Sequence, residues 1–188
     1  MYLLASGNSK IGRKTYSFSL PAKTTCRPTP WCQEHCYACK GLFHMRSVKE
    51  LYERNLRMSK EIDFPERMIQ EIYERKIGWV RIHVSGDFYS NEYLDAWSNI
   101  ISNCPNTRFL AFSRRTDLPL DRLTQWDNMT VRLSVDPSTK DYPDGLLPLA
   151  IVEGSRFDHL ADEVCSGGCI ECGHRCWDDE HNVLLHVH

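Results

Sequence analysis

Eight of the nine cysteines fall in two short runs: Cys26, Cys32, Cys36 and Cys39 near the start, and Cys165, Cys169, Cys172 and Cys176 near the end. Thiolates two or three residues apart on one loop can turn inward on a single charge. A disulfide framework usually ties more distant segments together. The opening, Met1 to Asn8, is too short and too soon polar for a signal peptide, so the expected compartment is the reducing cytoplasm. There the two runs predict metal sites, and the solitary Cys104 predicts a core residue. A chain of 188 residues has room for one domain with a real core. A net charge of -2 gives no basic field to recruit nucleic acid or a membrane, and no apolar run reaches the length of a membrane span.

Between the two runs the pattern alternates strands with helices. Strands are predicted over 15–20, 79–85, 108–113, 129–135 and 146–152, the last interrupted by Pro148. Helices are predicted from a capping-box pattern at Ser47 and Glu50 to about 62, from Asp63 and Pro65 to about 76, over 91–102, and briefly over 120–126. The segment 136–145, with Pro137, Pro143 and Gly145, reads as a turn-rich loop. This order implies an α/β fold with a parallel sheet, either a partial (β/α) barrel or a small open sheet. The expected division is an α/β domain over 1–161, carrying the cysteine loop 26–39, and a cysteine-rich tail over 162–188 with little core of its own.

Ligands of such sheets gather at the carboxyl ends of the strands. Polar residues recur there: Ser85, Gly86 and Asp87 after one strand, Ser113, Arg114 and Arg115 after the next, then Ser134 and Asp136, and Glu153 after the last. With the first cysteine loop, they would face one rim. Ser85, Gly86, Asp87, Ser113, Arg115, Ser134 and Asp136 are the candidate cofactor-binding residues. Gly86-Asp87 also fits a plain turn before a helix cap. His35 and His174 read as loop residues, and Trp177 as a shield between a metal site and water.

The spacing of Cys32, Cys36 and Cys39 is similar to that of the radical S-adenosylmethionine enzymes. In those, three thiolates hold a [4Fe–4S] cluster and leave one iron open for the cofactor. The aromatic residue that directly precedes their last cysteine stands one place earlier here, as Tyr37. Ser85-Gly86-Asp87 falls where those enzymes place a Gly-Gly-Glu-like motif for the cofactor's amine. The tail spacing suits zinc or a second cluster.

A longer set of residues resembles a family of uncharacterised phage proteins, the "gene product 88" family. The set comprises Gly7 to Gly12, Tyr16 to Ala22, Thr25-Cys26, Cys32 with Cys36-Tyr37-Ala38, Arg81 to Ser90, and Cys172 to Cys176-Trp177. The resemblance implies Cys26, Cys32 and Cys36 as the ligands of the first run, with Cys39 a local addition. The expected function is that of an iron–sulfur protein with one or two [4Fe–4S] clusters, resembling a minimal radical S-adenosylmethionine enzyme. There Asp87 would hold the cofactor's amine, and Ser134 or Asp136 its ribose. The alternative is a non-catalytic iron–sulfur or zinc protein that binds a host or phage partner. For a phage-encoded chain the expected location is the host cytoplasm.

Overall fold

A computed structural model describes residues 2–141, 147–177 and 181–187 of the chain. Its frame is one sheet of eight strands: β1 (Ala5–Ser6), β2 (Thr15–Phe18), β3 (Trp79–Ile82), β4 (Arg108–Ser113), β5 (Met129–Val135), β6 (Leu149–Val152), β7 (Glu163–Val164) and β8 (Val183–Leu185). The spatial order is β1-β2-β3-β4-β5-β6-β8-β7. Only the β1–β2 pairing is antiparallel among the described residues. The α/β class and the parallel sheet are as expected. The sheet is open, since β1 and β7 end it without pairing to each other, so it is not a closed barrel. It is larger than the five strands legible in the sequence. The tail adds β7 and β8, and β8 pairs with β6.

Among the described residues four α-helices accompany the sheet: α1 (Pro30–His35), α2 (Arg46–Met58), α3 (Phe64–Glu74) and α4 (Asn91–Ser102). Helix α4 starts where Ser90 Oγ accepts from the Tyr93 N–H at 3.2 Å, and α3 starts with Pro65 in its first turn. The Ser47–Glu50 capping box does not form. Glu50 pairs with Arg46 one turn earlier, at 2.6 Å, and α2 begins at Arg46 with no side-chain cap. Helix α1, unforeseen in the sequence, is set by Pro30 in its first turn and by Thr29 Oγ1 accepting from the Cys32 N–H at 3.1 Å. The helix expected over 120–126 is only a 3-10 turn, Leu120–Arg122. Pro143, Gly145, Leu146 and His188 lie outside the described residues.

Side-chain alternation divides the sheet's two faces. Phe18, Val80, Ile82, Phe109, Ala111, Val131 and Leu133 join Phe64, Met68, Leu94 and Trp97 in the main core. The Trp97 ring meets Phe18 at 5.7 Å and Phe64 at 5.9 Å, so α3 and α4 are locked onto this face by aromatic edges. Cys104 is buried in the same core, as expected of a solitary cysteine. The opposite face carries the alternate residues, Ser17, Arg81, Phe112, Thr130, Arg132 and Ser134. Here the two cysteine segments come to lie. No helix among the described residues is long and apolar enough to cross a membrane.

Candidate metal and ligand site at the sheet rim

The cysteine loop, the carboxyl ends of the strands and this second face enclose a cavity of about 270 Å³. Cys26, Cys32 and Cys36 line it, together with Arg81, His83, Ser85, Gly86, Asp87, Arg114 and Ser134. Cys39 is not in the lining but stands beside Cys36. Cys26, Cys32 and Cys36, the trio that the family resemblance implied as ligands, all line the cavity. All nine cysteines are free thiols. Burial pushes the Cys26 thiol up to about 11, and also raises Cys32 and Cys36. Arg114 pulls Cys32 the other way, towards the thiolate. Among the described residues, no three His, Cys, Asp or Glu side chains stand in a formed metal-binding group. The donor chemistry nonetheless fits a thiophilic metal or an iron–sulfur cluster, because neighbouring thiols share one loop and one cavity.

The residues after β3 are tightly placed. Gly86 has φ of +85°, and a Cβ there would lie 2.6 Å from Leu20 Cβ and 2.9 Å from the Leu20 carbonyl oxygen. Only glycine fits between these strand ends. Ser85 Oγ donates to the Leu20 carbonyl at 2.9 Å. Asp87 is buried, and both its carboxylate oxygens are engaged. Oδ1 accepts from the Phe88 N–H at 2.8 Å and Ser113 Oγ at 2.6 Å, and Oδ2 accepts from the Arg114 N–H at 3.0 Å. Burial raises its pKa, and the hydrogen bonds from Arg114, Ser113 and Phe88 oppose that rise. Asp87 thus fastens the end of β3 to the end of β4 and is not the cap of α4, a role that Ser90 fills.

The two arginines after β4 point to different neighbours. Arg115 makes a two-pronged pair with Asp117, at 2.7 and 2.9 Å, and also donates to the Phe88 carbonyl. It does not line the cavity, whereas Arg114 does. Arg114 Nε donates to Asp136 Oδ2 at 3.2 Å. Asp136 is fully buried and also accepts from Thr29 Oγ1 at 2.5 Å and from the Ser138 N–H at 2.9 Å. It ties the cysteine loop to the end of β5 and holds Arg114 in place. Of the seven candidate cofactor-binding residues, Ser85, Gly86, Asp87 and Ser134 line the cavity. Ser113, Arg115 and Asp136 do not, though Ser113 bonds Asp87 and Asp136 bonds Arg114, both of which do.

Sequence reasoning missed Arg81 and His83. His83 is buried at φ of +61°, a conformation that costs a non-glycine residue energy and often marks a functional site. Its Nε2 meets Tyr93 Oη at 2.9 Å, while its buried Nδ1 has no partner. Burial first, and then Arg81, hold its pKa down at about 3, so it is neutral. Arg81 lies with its guanidinium carbon 3.6 Å from the centre of the Phe112 ring, and its buried Nε has no partner. Both residues line the cavity. The signal for Arg81 was available: a charged residue between Val80 and Ile82 in a parallel strand must face away from the core.

The tail cysteines form a second group. Cys165, Cys172 and Cys176 line a separate hollow of about 380 Å³ with Glu163, Glu171 and Arg175. Cys169 neighbours all three. Trp177 is buried against Trp79, the rings 5.8 Å apart and nearly perpendicular.

A family model described as "Gene product 88" matches residues 2–164 and stops just before Cys165. The segment Cys172 to Cys176-Trp177, counted in the resemblance, lies outside that match, as do Cys165 and Cys169. The chain is 26% identical over 156 residues to the Gene 88 protein of Mycobacterium phage L5, covering 75% of this chain and 65% of that protein. It is 24% identical over 156 residues to the Gene 88 protein of Mycobacterium phage D29, with the same coverage. The chain thus spans just under two thirds of the length of these curated relatives. No solved structure matches it.

Proposed function

The chain belongs to the Gene product 88 family, and from that premise we propose that it is an iron–sulfur protein whose rim cavity binds a small molecule beside the cluster. The observation that carries this reading is the lining of the cavity: Cys26, Cys32 and Cys36 face it, and Arg114 and Ser134 stand close by. Three protein thiolates on a four-iron cluster leave one iron open to a ligand. Such a centre would supply an electron to whatever binds there, and S-adenosylmethionine is the reactant that the likeness in architecture, a parallel α/β sheet with a cysteine loop at its rim, points to. The chain's own share is to bind, orient and shield. Arg114, fixed by Asp136, would meet an anionic group of the ligand, and Ser134 would offer a hydroxyl. The unpartnered Nδ1 of His83 and Nε of Arg81 are further buried polar atoms that a ligand could satisfy. Asp87 would act through Arg114, whose backbone it anchors.

Electron paramagnetic resonance of the reduced, anaerobically purified protein tests the open iron. The spectrum is expected to change on adding millimolar S-adenosylmethionine. An unchanged spectrum from a protein with its iron intact would favour a second reading, a non-catalytic metal protein that docks a partner through its cysteine loop. That reading has its own observation, because Tyr37 on this loop and Leu42 and Met45 just after it are exposed, Leu42 at 77%.

A further inference from the structure

The tail quartet sits at the other end of the same sheet face. The Cys169 N–H donates to the Lys10 carbonyl at 2.8 Å, just before β2. The His174 ring stacks on Trp79, the first residue of β3, at 4.7 Å. Thr130, the second residue of β5, donates to the Trp177 carbonyl at 2.8 Å. These are the amino ends of the strands, whereas the rim loop follows their carboxyl ends. A strand such as β2, Thr15–Phe18, separates the two ends by about 10 Å. Metal–thiolate bonds are only about 2.3 Å long, so one ion cannot serve both quartets.

Two arginines lie between the sheet and the tail. Arg132 is fully buried and donates to the carbonyls of Cys176, at 3.4 Å, and His181. Arg81 rests on Phe112. Burial acts against its charge, and the groups that would favour that charge most are Tyr37, Cys169 and Cys176, with Arg132 opposing. Arg81 forms no ion pair among the described residues, so an anionic centre beside it would match its buried guanidinium.

Resting on the metal–thiolate reading above, we infer that Cys165, Cys169, Cys172 and Cys176 form a second metal–thiolate centre, separate from the rim, with Arg81 beside it as a counter-charge. Four thiols give up their protons on binding. Four thiolates around zinc(II), or around an oxidised [4Fe–4S] core of charge +2, leave two net negative charges in either case. The Arg81 guanidinium offsets part of that charge. With all four ligands from the protein the centre is closed, and its part is structural or electron-relaying.

The test uses the full chain, purified without oxygen, with iron, acid-labile sulfide and zinc measured per chain. The Cys169→Ser/Cys176→Ser pair should remove one share of the metal and the Cys32→Ser/Cys36→Ser pair another, the two shares summing to the wild-type content. Zinc in the tail share identifies an ion, and iron with sulfide identifies a cluster. Unchanged metal in the tail pair would overturn the inference while leaving the rim reading intact. Loss of all metal in both pairs would mean one shared centre and overturn it equally. A wild-type chain without metal would remove both readings. Because serine variants can fail to fold, a charge test keeps every cysteine. Arg81→Met should lose the tail metal to a chelator at least tenfold faster than wild type, and Arg81→Lys should restore most of the resistance. Equal rates for both variants and wild type would contradict the role of counter-charge.

Discussion

Replacing Asp87 by Asn removes one acceptor from a group that holds three donors. Asn keeps one oxygen, which can serve the Phe88 N–H and Ser113 Oγ where Oδ1 does now. Its amide nitrogen then faces the Arg114 N–H, which Oδ2 now receives at 3.0 Å. Two donors oppose each other in a buried place. An unsatisfied buried donor costs about 1–3 kcal/mol, and a hydrogen bond to a charged acceptor contributes about 1.5–3 kcal/mol. Relief of the desolvation that raises the Asp87 pKa offsets part of this. The expected net loss is about 2 kcal/mol. At a urea dependence of about 2 kcal/mol per molar, the midpoint should fall by about 1 M with an unchanged slope. In a double-mutant cycle with Ser113→Ala, the two losses should be non-additive by at least about 0.5 kcal/mol. A midpoint within about 0.2 M of wild type, together with weakened ligand binding, would refute this account and return Asp87 to the role of a ligand-binding carboxylate.

Other outcomes follow from the same region. The native pKa of His83, near 3, lies far below its ordinary value of 6.5, so the unfolded chain binds a proton that the folded chain refuses. Its contribution is full above pH 6.5 and is lost as pH falls towards 3. Wild type should therefore lose about 2 kcal/mol more between pH 7 and pH 5 than His83→Asn, which tolerates the positive φ, and equal losses in urea titrations would contradict this. Gly86→Ala should destabilise by about 2–4 kcal/mol, since the added carbon meets Leu20 at 2.6 Å and the backbone cannot relax to negative φ freely; a thermal scan within about 1 °C of wild type would count against it. Thr29→Val removes the cap of α1 and the link to Asp136, and should speed proteolytic cleavage within the cysteine loop severalfold while lowering the free energy of global unfolding by no more than about 2 kcal/mol; an unchanged cleavage rate would contradict this.

The sheet was legible where one physical signal dominated. Strands β4 and β5 and helix α4 match the ranges read from alternation and periodicity, where Phe109, Val131 and Trp97 are fully buried in the main core. The ends were less legible. Strands of two or three residues such as β7 and β8 carry too few alternations to register, and they form because β6 offers an edge. Helix α1 depends on Thr29 and Pro30, a start signal that the cysteine spacing overshadowed. At the site, Ser85, Gly86, Asp87 and Ser134, picked out from the ends of the strands, line the cavity, whereas Ser113, Arg115 and Asp136 do not. Which of two adjacent arginines turns to the cavity was not foreseeable, because that choice is made by Asp117 and Asp136, distant from each other in the sequence. Arg81 and Arg132 were visible as charges within apolar strands, but their meaning depends on the tail folding back over them.

The central claim, that the thiols of the rim hold iron and sulfide, is tested most directly by measuring both in the full chain purified without oxygen. The account predicts a brown protein with about four irons and as many acid-labile sulfides at the rim, together with the tail's own share of metal, and a marked loss of iron in the Cys32→Ser/Cys36→Ser variant. A colourless protein with zinc alone, or iron that is unaffected by that variant, would contradict it.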